Sequence, residues 1–212
     1  MNPRADLDPG YVQAVGRLFK RVERLLDDVD PKMLPLHVYI AGGAAALFYV
    51  GAWVSKDVDA TISLRVHLPA DLEEAYVDRS GNPASVYLDA HYNDTLGPMH
   101  EDALDDSEPL HLAGIDPAKM DVRVLAPVDL AISKLGRFDE HDREDIAAMA
   151  SAGLLDAVKF ARRAGDTLDC YVGHPAAPRA NLRDALALVR ANAPKKSGVN
   201  RNRTRGKPPK RS

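Results

Sequence analysis

Residues 39–62 read YIAGGAAALFYVGAWVSKDVDATI, and this stretch decides the architecture. Residues 36–41, LHVYIA, predict a short buried strand that stops at Gly42-Gly43. Residues 44–51 then predict a short helix, and residues 58–66 a second strand, with β-branched Val58, Thr61 and Ile62. The same region imitates a membrane span, because residues 33–55 contain no Lys, Arg, Asp or Glu. Pro35, His37, the glycine pair and Gly51 interrupt it, so strand, turn and helix is the better reading and no membrane partner is expected.

Glycines at the end of a strand let a backbone approach a ligand closely, since no side chain intervenes. The helix that follows offers unpaired N–H groups and a positive dipole end, which suits phosphate. Thirteen residues separate Gly43 from Asp57, and Asp59 follows. On a strand, residues two apart point to the same face, so Asp57 and Asp59 project side by side. Adjacent carboxylates repel unless a cation lies between them. Mg²⁺ is usually held by one or two carboxylates plus substrate phosphates. Two such ions clamp the attacking and leaving oxygens of a phosphoryl displacement. An Asp-x-Asp pair alone is common on solvated strand ends, and a glycine pair alone is a common turn. Their combination across strand, turn, helix and strand is far more restrictive.

Outward from this segment, Asp8 caps and Pro9 opens a first helix. Its apolar face is Tyr11, Val12, Val15, Leu18, Phe19, Val22, Leu25 and Leu26, and Asp30-Pro31 is expected to end it. A helix is predicted over residues 69–79, a turn at Ser80-Gly81-Asn82-Pro83, and strands over 85–92 and 120–125. Residues 93–117, rich in acids, Gly and Pro, predict a long loop. Helical patterns follow at 127–138, 142–152, 154–164 and 180–193. The fold class is α+β (mixed α/β): a mixed sheet flanked by helices, then a small C-terminal helical bundle. The organisation is a core over 1–126, a helical part over 127–193 packed on it, within one domain if need be, and a tail over 194–212.

The chain has 212 residues, which suits one domain, two at most. Charged residues make up 28% and hydrophobic ones 45%, which excludes a disordered chain, a collagen and a coiled coil as wholes. Cys170 is the one cysteine, so no intramolecular disulfide forms; an inert, buried cysteine is expected. The seven histidines show no metal-ligand spacing. No apolar leader follows Met1, and a cytoplasmic location is expected. The net charge of −3 hides an asymmetry. Lys195, Lys196, Arg201, Arg203, Arg205, Lys207, Lys210 and Arg211 crowd the last 19 residues, leaving −11 on residues 1–193. That tail cannot bury a core and is expected to be disordered. It is either an electrostatic footprint for the nucleic acid backbone or a solubilising tail.

The segment 42–59 resembles the signature of the polymerase-β-like nucleotidyltransferase superfamily, and more narrowly the first motif of AbiEii/MenA-type nucleotidyltransferases, known as toxins of toxin–antitoxin pairs. Residues 129–137, DLAISKLGR, resemble that family's helical motif with a central lysine, and 142–146, DREDI, its last motif. The resemblance covers roughly residues 36–150. It implies that Gly42, Gly43 and Ser55 contact the nucleotide, that Asp57 and Asp59 hold Mg²⁺ (or Mn²⁺), and that Lys134 neutralises phosphate charge. It implies too that Asp142 or Asp145 orients that lysine or completes the site. Trp53 stands where the family often carries arginine. Read from the residues alone, Lys134 is an ordinary helical lysine, Asp142 an acid favoured at a helix start, and Arg143 or Arg137 a surface partner for it.

A third carboxylate often joins the pair in the wider superfamily. Asp89, opposite in facing to Val86 and Leu88, is the candidate, with Asp121 as competitor. The function implied is Mg²⁺-dependent transfer of a nucleoside monophosphate from an NTP, with an RNA end, such as that of a tRNA, as acceptor and an antitoxin as partner. A protein hydroxyl, a small molecule such as an antibiotic, or a non-catalytic nucleotide- or RNA-binding module are the alternatives.

Overall fold

The structure is a computed structural model that describes residues 1–4, 6–51, 54–64, 66–89 and 97–194. Trp53, the end of the expected strand at 90–92, the start of the expected loop at 93–96, and the basic residues from Lys195 to Arg211 lie outside the described residues. The centre is a mixed six-stranded sheet. Its strands in chain order are β1 (Leu36–Ile40), β2 (Asp57–Ile62), β3 (Glu73–Val77), β4 (Pro83–Asp89), β5 (Glu108–Pro109) and β6 (Met120–Val124), and across the sheet they run β3-β4-β2-β1-β6-β5. β1 is antiparallel to β2 and parallel to β6, while β2 is parallel to β4.

The alternation of side chains divides the sheet into two faces. Val38, Ile40, Val58, Ala60, Val86, Leu88, Val122 and Val124 are buried on one. Helix α1 (Pro9–Arg24) lies on that face. Tyr11 meets the ring of Phe48 on α2 (Gly42–Val50) at 6.5 Å and that of Tyr76 on β3 at 5.9 Å. Arg17 and Arg21 of α1 reach Glu74 on β3 at 3.0 and 3.6 Å. The other face presents the odd-numbered residues His37, Tyr39, Asp57, Asp59, Tyr87, Asp89, Asp121 and Arg123, all at least partly exposed.

Asp8 caps α1 by accepting from the N–H groups of Gly10 and Tyr11, with Pro9 at its first position. The helix stops at Arg24, earlier than the proline at 31 suggests. Leu26 still enters the core, but the acids Asp27, Asp28 and Asp30 line the turns that follow, and Asp30 caps a single 3₁₀ turn, Pro31–Met33.

The helix expected over 69–79 is not there: Glu73–Val77 is strand β3. Glu and Ala favour a helix locally, but hairpin pairing with β4 and the burial of Tyr76 against Tyr11 override that preference. The hairpin turn is the one expected. Asp78 accepts from the N–H groups of Ser80 and Asn82, and Gly81 has φ +84°, open to glycine at little cost. Within the expected long loop, Glu108–Pro109 forms the short edge strand β5.

Helices α3 (Pro127–Ser133), α4 (Glu140–Ser151), α5 (Ala157–Asp169) and α6 (Ala176–Asn192) follow. α4 and α5 pack on α6, and α3 and α4 touch α2, which joins this bundle to the sheet. Arg163 of α5 grips fully buried Asp129 of α3 with two bonds, 2.7 and 2.9 Å. Cys170 ends α5 and is exposed, contrary to the burial expected of it, because the chain leaves the bundle there. Among the described residues no helix is long and apolar enough to cross a membrane.

Candidate active site

The chain turns from β1 into α2 at Ala41, whose N–H donates to the Asp59 carbonyl at 2.8 Å. The glycine pair therefore opens α2, one step earlier than a break before the helix. Gly42 has φ +59°, and a β-carbon there would collide with the Asp59 carboxylate. A β-carbon on Gly43 would stand 3.1 Å from Ser55 Oγ. The two glycines make room for the acidic strand and for the serine before it.

Just before β2, Ser55 organises the first carboxylate. Its hydroxyl lies 2.8 Å from both the carbonyl and Oδ1 of Asp57. Asp57 is in register with Tyr87 on β4, and Asp59 with Asp89. Burial raises the Asp59 carboxyl to about 6, with the charges of Asp57 and Asp89 pushing the same way and Lys134 and Arg137 opposing. Asp89 therefore stands next to Asp59 across the two strands, where its charge acts on Asp59, but the three acids are not grouped to enclose one ion. Asp121 stands on β6, two strands away, and pairs with His37 and Arg123, each at 3.2 Å.

The end of α3 and the start of α4 supply the cationic side. Lys134 is 6% exposed, and its ammonium lies between Asp142 Oδ1 at 3.1 Å and Asp145 Oδ2 at 2.7 Å. The two acids share one helical face, three residues apart, so both of them hold the lysine. Asp142 also completes a reciprocal cap with Asp139: the Asp142 N–H donates to Asp139 at 3.0 Å, and the Asp139 N–H returns a bond at 3.4 Å. Burial alone would raise the Asp142 carboxyl. The bonds from Arg137 and the charge of Lys134 outweigh it and hold that carboxyl below its ordinary value. For Asp145, burial wins over Lys134 and its carboxyl is raised. Arg143 takes neither acid and lies over the Phe138 ring at 4.8 Å.

Most of these groups, though neither Gly42 nor Asp89, line one cavity of about 450 Å³, a size suited to a small-molecule ligand. Gly43, Ser55, Asp57, Asp59, Lys134, Asp142 and Asp145 all reach it. Val54, Lys56, Tyr87, Arg137 and His141 line it as well, and the sequence reading had assigned none of these to the site. Two signals were available. Tyr87 is two residues from Asp89 and so faces the same side of the sheet, and Arg137 follows Lys134 by three residues in the turns after α3.

A family description matches residues 16–185, most of the chain, and reads "nucleotidyltransferase of unknown function (DUF6036)". The chain belongs to that nucleotidyltransferase family. No curated protein and no solved structure matches it significantly. The matched span of this nucleotidyltransferase takes in the glycine turn, all the carboxylates above and Lys134.

The donor set suits a hard divalent ion. It is made of carboxylate oxygens, and the Asp59 carboxyl, raised first by burial and then by the charges of Asp57 and Asp89, would gain from a nearby cation. Among the described residues no three His, Cys, Asp or Glu side chains are grouped to enclose an ion. An ion here would therefore rely on Asp57 and Asp59 together with substrate oxygens, which is how Mg²⁺ is commonly held.

Proposed function

We propose that this protein transfers a nucleoside monophosphate from an NTP to an acceptor hydroxyl with release of pyrophosphate, and that it needs Mg²⁺ or Mn²⁺ to do so. The observation that carries the reading is the pair Asp57 and Asp59 on the open sheet face, with Gly42 giving way to the second carboxylate. A divalent ion, when bound, polarises the phosphoryl oxygens and offsets charge at the leaving group. Asp57, fixed by Ser55, and Asp59 would hold it. Asp89, the register partner of Asp59, adds negative charge beside the pair. Lys134 would face the phosphate chain from a position locked by Asp142 and Asp145, so little ordering cost remains when substrate binds.

The acceptor we favour is an RNA end. The support is the cluster of basic residues from Lys195 to Arg211, a sequence suited to backbone phosphates and without aromatic residues to read bases. The likeness to AbiEii/MenA-type enzymes adds a toxin role with an antitoxin partner to this reading.

The test incubates the full chain with each labelled NTP, Mg²⁺ or Mn²⁺, and total RNA or total protein. Label on RNA with the wild type, and none with Asp57→Asn, is the expected result. Label on protein alone moves the acceptor to a protein hydroxyl. Absence of transfer with every NTP and acceptor, a small-molecule set included, removes the enzymatic reading.

A further inference from the structure

The lining of the cavity is not uniform. Lys134, Arg137 and His141 come from the end of α3, the turn after it and the start of α4. Val54 and Tyr87 line the same cavity and are large apolar groups, 55% and 43% exposed. Tyr87 is the register partner of Asp57, and its N–H donates to the Lys56 carbonyl at 2.9 Å. The charges acting on its phenol are those of Asp57, Asp89 and Asp59, with Asp57 foremost. Asp59, by contrast, also faces Lys134 and Arg137. Tyr87 thus stands across from Asp57 on the neighbouring strand, while Lys134 and Arg137 enter the lining from the turn after α3.

The two parts suit different chemistry. Tyr87 is exposed and lines the cavity, so part of its ring is open to a ligand. On the cationic side Arg137 has a side chain 71% exposed, bound to Asp139 at 2.8 Å and Asp142 at 3.2 Å. Lys134 already satisfies Asp142, so Arg137 can turn its planar fork to phosphate oxygens without stranding a buried charge.

We infer that the cavity takes a nucleotide in one orientation, its base on the Tyr87 ring beside Val54 and its phosphate chain at Arg137 and Lys134. This rests on the nucleotidyl-transfer reading of the same cavity and adds two ligand-contacting residues to it. Stacking on an aromatic face tolerates any base, so Tyr87 contributes affinity for the base whichever NTP is used.

Calorimetry on the full chain tests it, with Mg²⁺ present and two ligands: α,β-methylene-ATP, which cannot undergo transfer, and inorganic tripolyphosphate. Tyr87→Ala should weaken the nucleotide about tenfold or more and leave tripolyphosphate within about twofold. Tyr87→Phe, which keeps the ring, should bind both like the wild type. Arg137→Ala should weaken both ligands. Unchanged melting temperatures show that each variant folds. The orientation is overturned if Tyr87→Ala spares the nucleotide or weakens both ligands equally. It is overturned as well if Arg137→Ala spares tripolyphosphate, or if the wild type binds just one of the two ligands. A wild type that binds neither overturns nucleotidyl transfer along with it, which separates the two failures.

Discussion

The Asp59 carboxylate occupies the space that a side chain on Gly42 would need: a β-carbon there would stand 2.9 Å from Cγ of Asp59 and closer still to its oxygen. The turn from β1 into α2 and the acidic strand β2 are therefore built against each other. Gly42 carries φ +59°, a backbone that any other residue adopts with strain.

Gly42→Ala meets both penalties and should lose about 2–4 kcal/mol of stability while displacing Asp59. Gly43→Ala meets only a 3.1 Å approach to Ser55 Oγ and should lose much less. Urea denaturation of the two variants checks the order. Equal losses would show that room for Asp59 is not what position 42 provides.

The raised Asp59 carboxyl gives a pH dependence with a definite sign. Its folded value, about 6, lies above the ordinary 3.8, so the folded state prefers the proton. This contribution is stabilising at low pH and is lost as pH rises from about 4 through 6. Asp59→Asn should stabilise the metal-free protein above pH 7 by about 1 kcal/mol after solvent screening, and by little at pH 4. Melting curves across pH, with chelator present, read the difference; a gain that grew toward acid pH would contradict it.

Lys134 sits between two buried acids, so removing it leaves buried negative charge. Lys134→Ala should cost about 3–5 kcal/mol, and Asp145→Asn in that background should recover part of the loss. Of the two acids, Asp142→Asn should cost more than Asp145→Asn, since Asp142 also takes Arg137 and the Asp139 N–H. Chemical denaturation of the four proteins tests the order.

Ser55 fixes Asp57 through a single hydroxyl. Ser55→Ala should change stability by about 1 kcal/mol or less, yet weaken Mn²⁺ binding about tenfold by freeing the carboxylate. A Mn²⁺ titration followed by electron paramagnetic resonance measures this. Unaltered affinity would mean that Ser55 does not orient Asp57 for an ion.

Much of the site could be read from the chain because it depends on short-range spacing. Two residues along a strand bring Asp57 beside Asp59, and three along a helix bring Asp142 beside Asp145. Helix α1, strand β1 and the turn at Gly81 were legible for the same reason: a cap, alternating Leu36, Val38 and Ile40, and a left-handed glycine act locally.

What local pattern leaves open is decided by partners distant in sequence. Strand pairing made residues 73–77 a strand where Glu and Ala favoured a helix. Parallel register between β2 and β4 set Asp89 across from Asp59, and the same register brought Tyr87 to Asp57. The packing of α3 and α4 on α2 buried Lys134 between two acids instead of leaving it in water. A strand's choice of neighbour depends on closing a loop of many residues and burying one whole face, and that free energy belongs to the assembled sheet, to no single segment of it.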